Sequence, residues 1–205
     1  MSNPMKYLAI CGNVAAGKTT LAQALCNKLP LQLVQENIDE IPFLVDCYKD
    51  TSRWAFSTQV AFYVNSLTEL IRMKEAGCVT FCMDNTVIAH HHVFTRYLRM
   101  KGYLSEREYG VCERLFECLV HFSAPPILLI YLKGPLEILL ERIKPRGRKH
   151  EQGFTQQYLT ELDDLFDAWI ESYDRCPVLR VNGGEIAGRI EQAARELAGK
   201  VQDYI

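Results

Sequence analysis

The sequence lacks a run of apolar residues long enough to span a bilayer. Its longest apolar run lies near Ala124–Leu132, whereas a membrane-spanning helix needs about 20 such residues. It also lacks an excess of charge, since the formal net charge is -2. This balance argues against a general nucleic-acid or membrane surface. No charged and then apolar preamble precedes the first predicted strand, so we expect no secretory signal.

The eight cysteines include no CxxC pair, and the sequence contains no repeat, linker or low-complexity segment. Without a secretion signal, such cysteines are typical of reduced thiols, and we expect a cytoplasmic protein. Cys78 and Cys82 lie on or beside a predicted core strand, which favours packing over metal binding. At 205 residues, with 48% hydrophobic and 23% charged residues, we expect residues 1–205 to form a single domain.

A glycine-rich segment, Gly12–Thr20, follows an apolar run and precedes residues with helical spacing. Strand, glycine loop and helix in this order are the context of a phosphate-binding P-loop. Glycines let backbone N–H groups approach phosphate oxygens, and the helix N-terminus adds partial positive charge. Lys18 is expected to reach the β- and γ-phosphates, and the Thr19 hydroxyl to bind Mg²⁺. The predicted nucleotide-binding residues are Gly12, Asn13, Ala15, Ala16, Gly17, Lys18, Thr19 and Thr20.

Short apolar segments alternate with helical patterns along the chain. This alternation predicts an α/β fold, a three-layer, doubly wound, five-stranded parallel sheet. The predicted strands are Tyr7–Cys11, Leu31–Val34, Val79–Met83, Ile127–Leu132 and Val178–Val181. The predicted helices include 54–76 with Gly77 as its C-cap, 88–99, 105–122 with a capping box at Ser105, 155–175 and 185–198.

Two of the predicted strands are followed by carboxylates, Glu36 and Asp84. Ligands of parallel α/β sheets bind at the carboxyl ends of the strands, where the P-loop also lies. These residues are therefore candidates for a general base and a Mg²⁺ ligand, although helix N-caps are the alternative interpretation.

A basic cluster at 142–149 contains Arg142, Arg146 and Arg148, with Gly147 as a pivot. Mobile positive charge stabilises a transferring phosphoryl group, so we expect a lid over about 142–153 that closes on nucleotide. An ordinary solvated face is the alternative. The adjacent His90, His91 and His92 would fan out by about 100° apiece on a helix and cannot converge on one metal ion.

Taken together, these motifs resemble the deoxynucleoside kinase family, in particular its short bacterial-type deoxyadenosine/deoxyguanosine kinase-like members. The resemblance covers nearly the whole chain, in family order and at nearly family spacing. It is carried by Gly12–Thr20, Glu36–Pro42, Arg53–Gln59 and Arg142–Gly153. It implies ATP-dependent phosphorylation of the 5′-hydroxyl of a (deoxy)nucleoside or modified nucleoside, with Mg²⁺, in nucleotide salvage. It also implies a homodimer. From the balanced charge we expect no nucleic-acid and no membrane partner.

The resemblance also implies roles for single residues. Glu36 would be the general base for the 5′-hydroxyl, and Gln59 would make paired hydrogen bonds to the base. Tyr48 and the lid residue Glu151 would contact the 3′-hydroxyl. Phe56 would stack on the base or pack in the core. The implied catalytic residues are Lys18, Glu36, Arg142, Arg146 and Arg148, and the implied Mg²⁺ ligands are Thr19 and Asp84.

The chain departs from the family pattern after the third strand. The family has an acid, arginine and serine there, and this sequence has Asp84, Asn85 and Thr86. Losing a donor aimed at developing charge commonly costs on the order of 10² to 10³ in turnover. Farther on, His90 and Ser66 stand where the family often has an aspartate–arginine pair at the base. We therefore expect Asn85 and His90 to alter the substrate pocket, with changed or relaxed specificity.

Two other functions compete with an active kinase. A weak or inactive kinase-like subunit that binds nucleotide and regulates a partner would explain the loss of the arginine at Asn85. The retained Lys18, Glu36 and Asp84 favour activity. A GTP-hydrolysing switch fits less well, since the sequence contains no Asn-Lys-x-Asp-like guanine motif.

Overall fold

The computed structural model describes residues 6–78, 80–146 and 153–205. At its centre is a five-stranded sheet in which all neighbouring strands pair in parallel. The strands are β1 (Lys6–Cys11), β2 (Gln32–Gln35), β3 (Thr80–Asp84), β4 (Leu128–Lys133) and β5 (Val178–Asn182). Their spatial order is β2-β3-β1-β4-β5. The predicted parallel sheet is confirmed, and the ends of each strand differ from the prediction by at most one residue.

Helices connect the strands and cover both faces of the sheet. They are α1 (Lys18–Cys26), α2 (Leu44–Lys49), α3 (Thr51–Glu75), α4 (Val87–Ala89), α5 (Arg96–Met100), α6 (Glu106–Phe122), α7 (Leu136–Arg146), α8 (Gln156–Ser172) and α9 (Ile190–Gln202). A 3-10 turn, Ile38–Glu40, follows β2, and a π-helical turn, His90–Thr95, joins α4 to α5. No helix of the described part of the chain is long and apolar enough to cross a membrane.

Alternation along the buried strands produces two cores. Tyr7, Ala9 and Cys11 of β1 pack on one face of the sheet, against residues such as Phe81 and Phe166. Leu8 and Ile10 pack on the other face, against α1 and α9. A central strand that is apolar on both sides is what a doubly wound sheet requires.

Local signals set several helix ends as predicted. The Ser105 hydroxyl accepts from the backbone N–H of Glu108, whose carboxylate accepts from the Ser105 N–H, so the capping box at α6 is confirmed. Gly77, just beyond α3, has φ 65°, the left-handed conformation that ends helices.

The last helix begins later than predicted, at Ile190 rather than near Glu185. The Asn182 side-chain oxygen accepts from the backbone N–H groups of Gly184 and Glu185. This turn gives the backbone an alternative to a helix. A second difference is the π-helical turn, which interrupts the helix predicted at 88–99.

The sheet register brings the candidate acids to one edge. Asp84 pairs with Ile10 of β1 on one side and with Gln35 of β2 on the other. Glu36 follows Gln35 directly, and the P-loop follows β1. Three segments that are distant in sequence therefore meet at the carboxyl ends of adjacent strands.

Candidate active site

A cavity of about 780 Å³ opens at this edge of the sheet. The P-loop and the ends of β2 and β3 form its floor, and α2, α3, the π-helical turn and the start of α8 form its walls. Its lining includes most of the residues that sequence motifs single out, namely Ala15, Gly17, Lys18, Thr19, Glu36, Tyr48, Gln59, Asp84, Asn85 and His90. A volume of this size suits a small-molecule site.

Glycine is required at the start of the P-loop. Gly12 has φ 152°, and a Cβ atom there would lie 2.2 Å from the carbonyl oxygen of Leu132. Gly17 adopts φ 100° and caps α1, whose first residue is Lys18. The Lys18 Nζ donates to the carbonyl oxygens of Gly12 and Asn13, at 3.0 Å each. The lysine ammonium thus lies over the loop, at the helix N-terminus that attracts phosphate.

The P-loop is tied to α8 by Asn13, a link that the sequence did not reveal. The buried Asn13 Nδ2 donates to the Leu159 carbonyl oxygen at 2.8 Å and to Asp163 Oδ1 at 3.3 Å. Its Oδ1 accepts from the Val14 N–H. Asn13 therefore supports the shape of the loop. It is not among the described residues that line the main cavity. Thr20 lines a separate cavity of about 260 Å³ beside α9.

The two predicted Mg²⁺ ligands lie side by side. The Thr19 hydroxyl donates to Asp84 Oδ2 at 2.5 Å, and both residues line the cavity. Hydroxyl and carboxylate oxygens are the hard ligands that Mg²⁺ prefers, usually with substrate phosphates and water completing its shell. No group of three or more His, Cys, Asp or Glu suited to a metal occurs among the residues described. The donor set therefore fits a Mg²⁺ ion that arrives with nucleotide.

Glu36 is held by the two residues that replace family residues. His90 Nε2 lies 2.5 Å from Glu36 Oε1, and Asn85 Nδ2 donates to Glu36 Oε2 at 3.0 Å. Burial alone would raise the pKa of Glu36. The charge of His90 and the hydrogen bonds from His90 and Asn85 outweigh burial and lower this pKa below its usual value. Glu36 is therefore an ionised carboxylate at the wall of the cavity.

The positions of Asn85 and His90 follow from local geometry. Asn85 has φ 65°, a conformation that asparagine tolerates better than most residues. The ring of His90 stacks on Phe62 at 4.2 Å between centroids. Asn85 Oδ1 and His90 Nδ1 are buried and have no hydrogen-bond partner in the parts of the chain described. Both residues line the cavity, although these two atoms are themselves buried.

The other two histidines both contact the ring of Phe116, and each also has a partner of its own. His91 Nδ1 lies 3.0 Å from the Tyr63 hydroxyl. The ring of His92 stacks on Trp169 at 5.4 Å. Burial is the main reason that the pKa of each falls to about 4. Both rings are therefore neutral at pH 7.

Several aromatic residues line the cavity, but Phe56 is not among the lining residues described. Phe56 packs against the main core and against the small cluster of Ala55, Leu98 and Leu104. Its placement matches the core alternative rather than stacking on a base. Phe62 and Phe94 line the cavity instead. Their positions in the sequence do not distinguish them from core residues. Tyr48 lies at the mouth, 41% exposed, with its ring 5.3 Å from that of Phe154.

The expected lid is described only in part. Arg142 Nη1 donates to the carbonyl oxygens of Ala15 and Ala16 at 3.2 and 2.9 Å. The Arg142 guanidinium therefore binds the P-loop backbone. The sequence had predicted that Arg142 would carry mobile positive charge in a lid. The side chain of Arg146, and Arg148 and Glu151 entirely, lie outside the described residues.

Comparisons with known proteins agree with this geometry. A family model described as deoxynucleoside kinase matches residues 8–205. The deoxyadenosine/deoxycytidine kinase of Bacillus subtilis (strain 168) is 33% identical over 177 residues, which cover 85% of this chain and 81% of that protein. The deoxyadenosine kinase of Dictyostelium discoideum is 33% identical over 184 residues, 87% of this chain and 73% of that protein.

Solved structures show the same fold. The structure of deoxyadenosine kinase from M. mycoides with bound dCTP matches with a TM-score of 0.80 at 21% identity, covering 94% of this chain and 99% of that one. The named relatives give no support to the alternative of a regulatory subunit. The chain belongs to the deoxynucleoside kinase family, and it is an enzyme that transfers a phosphoryl group from ATP to a nucleoside.

Proposed function

We propose that this kinase acts on the 5′-hydroxyl of a deoxynucleoside, with Glu36 as the general base. The observation that carries the proposal is the ionised Glu36 carboxylate at the wall of the cavity whose floor is the P-loop. Deoxyadenosine and deoxycytidine are the first substrates to test, since two relatives are named for them.

The proposed step follows from the positions of Glu36 and Lys18. The 5′-hydroxyl oxygen attacks the γ-phosphorus, and the bond from that phosphorus to the β–γ bridging oxygen breaks. The hydroxyl proton passes to Glu36, and ADP leaves with the bridging oxygen. Lys18, at the N-terminus of α1, stabilises the negative charge on the phosphates.

Thr19 and Asp84 would hold the Mg²⁺ of the nucleotide, and the support for this is their contact at the cavity floor. The bound ion would neutralise charge on the β- and γ-phosphates. We expect Asp84→Asn to raise the Mg²⁺ concentration needed for half-maximal activity by on the order of 10- to 100-fold. A Mg²⁺ titration of kcat measures this effect. Asp174→Asn, at an exposed position beyond α8, is the control, and an equal shift in both variants would contradict the assignment.

His90 is proposed to keep Glu36 ionised, and this predicts a pH effect. His90→Gln removes a partner that lowers the pKa of Glu36, so that pKa rises. Because a lowered pKa keeps the base ionised as pH falls, the variant should lose kcat at a higher pH than the parent. The measurement is kcat against pH on the acid side. His92→Gln, whose ring stacks on Trp169, should keep the parent profile. If the fall in kcat at low pH occurred at the same pH in His90→Gln and the parent, His90 would not be keeping Glu36 ionised.

Substrate contacts at Tyr48, Gln59, Asn85 and Glu151, and lid charge from Arg142, Arg146 and Arg148, remain part of the proposal. The support is the cavity lining for Tyr48, Gln59 and Asn85, and the contact of Arg142 with the P-loop. We also propose that residues 1–205 form one P-loop domain with a lid at about 142–153.

We further propose a cytoplasmic homodimer. All eight cysteines are unpaired, which suits a reducing compartment. Val64 and Ile71 of α3 and Phe122 at the end of α6 are exposed apolar residues on helices that contact each other, which suits an interface. Light scattering on the purified protein measures the oligomeric state, and a monomer at micromolar concentration would contradict a stable dimer.

The test of the substrate proposal is a panel assay. ATP and Mg²⁺ are incubated with each natural deoxynucleoside and ribonucleoside, and ADP release is measured. We expect one or more deoxynucleosides to be converted, deoxyadenosine and deoxycytidine first. Conversion of ribonucleosides alone would contradict the proposed sugar.

A further inference from the structure

A chain of buried hydrogen bonds leads from Gln59, at the cavity wall, into the core. The Thr95 hydroxyl donates to Gln59 Oε1 at 2.8 Å. The Tyr63 hydroxyl lies 2.9 Å from Thr95 Oγ1 and 3.0 Å from His91 Nδ1. All four residues are buried, with exposed fractions of 4% for Gln59, 0% for Thr95, 1% for Tyr63 and 7% for His91.

The direction of every bond in this chain follows from the Gln59 amide. An amide oxygen only accepts, so Thr95 must give its single hydroxyl proton to it. Thr95 then accepts from Tyr63, and Tyr63 accepts from His91 Nδ1–H. Burial raises the pKa of Tyr63 and is the main cause that lowers the pKa of His91 to about 4. The phenol therefore stays protonated and the imidazole neutral.

A neutral imidazole has two tautomers, and so the chain can also run in reverse. With the Gln59 Nε2 turned toward Thr95, the amide donates, Thr95 donates to Tyr63, and Tyr63 donates to His91 Nδ1. Every hydroxyl proton again has an acceptor. The His91 ring lies 4.0 Å from Phe116 with an interplanar angle of 2°, and changing its tautomer requires no rotation of that ring.

We infer that Thr95, Tyr63 and His91 form a reversible hydrogen-bond relay that lets Gln59 present either orientation of its amide to the nucleobase. This inference rests on the proposed function, in which Gln59 contacts the base. The orientation described has Oε1 toward Thr95. In the inferred relay it serves bases that pair an exocyclic amine with an unprotonated ring nitrogen, such as adenine and cytosine.

The reversed orientation complements a different base edge. It suits an exocyclic carbonyl beside a ring N–H, as in uracil and hypoxanthine. A site with a fixed hydrogen-bonding pattern rejects mismatched partners by about 10⁴-fold, whereas the relay predicts a preference for amino bases below about 100-fold. Thr95, Tyr63 and His91 are positioning residues, since they act on the base only through Gln59.

The test uses substrate pairs that differ at this edge and nowhere else. Deoxycytidine is compared with deoxyuridine, and deoxyadenosine with deoxyinosine, by kcat/KM with ATP and Mg²⁺. Tyr63→Phe keeps the ring volume but removes the hydroxyl. In the reversed orientation of the Gln59 amide, the Thr95 hydroxyl proton then has no acceptor, whereas in the described orientation it still has Gln59 Oε1. A buried unpaired hydroxyl costs enough to raise the amino-base preference by about tenfold or more. His91→Phe should act in the same direction, because the Tyr63 proton then lacks an acceptor in that orientation alone.

Thr95→Val is the matched control, since it disconnects the relay from Gln59 in both orientations. It should lower kcat/KM for both members of a pair by a similar factor and leave their ratio near the parent value. Thermal unfolding of each variant verifies folding.

Four outcomes are decisive. Parent preference below about 100-fold, with a raised preference in Tyr63→Phe or His91→Phe, supports the relay. A parent preference near 10⁴-fold, or an unchanged ratio in both folded variants, overturns the relay and leaves the kinase function intact. If the parent converts none of these four but converts another deoxynucleoside, the inference fails and the proposed function stands; if it converts no deoxynucleoside, both fail.

Discussion

Glu36→Gln should lower kcat by about 10² to 10⁴, the usual contribution of a positioned general base. Gln keeps the shape of the side chain and one acceptor oxygen but has no carboxylate to take the proton of the 5′-hydroxyl. The cavity and P-loop contacts do not depend on the charge of Glu36, so the KM for ATP should change little. Steady-state kinetics with saturating nucleoside measure both constants.

Glu40→Gln provides the control for this substitution. Glu40 lies on the 3-10 turn just after Glu36 and is exposed, and it does not line the cavity among the described residues. Its change should leave kcat within a small factor of the parent. If Glu36→Gln retained full turnover, another group would have to accept the proton, and the proposed mechanism would be wrong.

Lys18→Met should lower kcat/KM for ATP by about 10² to 10³, as for other donors that stabilise developing charge. Met matches the length of the lysine stem but carries no positive charge to place on the phosphates. The far end of the cavity is left unchanged, so nucleoside binding, measured by calorimetry, should persist. Kinetics with varied ATP at saturating nucleoside give the ratio.

Lys200→Met, on the exposed face of α9, is the matched control and should behave as the parent. Equal kcat/KM in Lys18→Met and the parent would mean that Lys18 does not meet the phosphates. The glycine loop and helix would then form an ordinary βα turn with an exposed lysine.

The sequence predicted best those features that depend on residues close together in the chain. Gly12, Gly17 and Lys18 define a loop whose shape depends on short-range backbone geometry. Segments of four to six mainly apolar residues marked the strands, and parallel pairing then required Glu36 and Asp84 to share one edge. Both inferences use chain order and the general geometry of parallel sheets.

The partners of these residues depend on contacts between distant segments, which the sequence does not encode locally. Glu36 and His90 are 54 residues apart, and only the fold brings their side chains together. The replacement of an arginine by Asn85 predicted a loss, yet Asn85 still donates to Glu36 and His90 supplies a second contact. Likewise, nothing in the basic cluster revealed that Arg142 would contact the P-loop carbonyls 126 and 127 residues away.

The same reason explains the aromatic residues. Phe56 and Phe62 lie on one helix, and the sequence alone does not show which of them packs in a core and which lines a cavity. The chain of Thr95, Tyr63 and Gln59 likewise depends on the packing of the π-helical turn against α3. A π-helical turn has no simple sequence signal, although such turns are frequent at functional sites.

The most direct test of the account is the position of the transferred phosphate. ATP labelled at the γ-phosphate is incubated with the protein, Mg²⁺ and deoxyadenosine or deoxycytidine, and with the matching 5′-deoxy analogues, which lack the acceptor hydroxyl. The account predicts label at the 5′-position, formed in equal amounts with ADP, and no transfer to the analogues. ATP hydrolysis that proceeds equally with and without nucleoside, or label at the 3′-position, would contradict it.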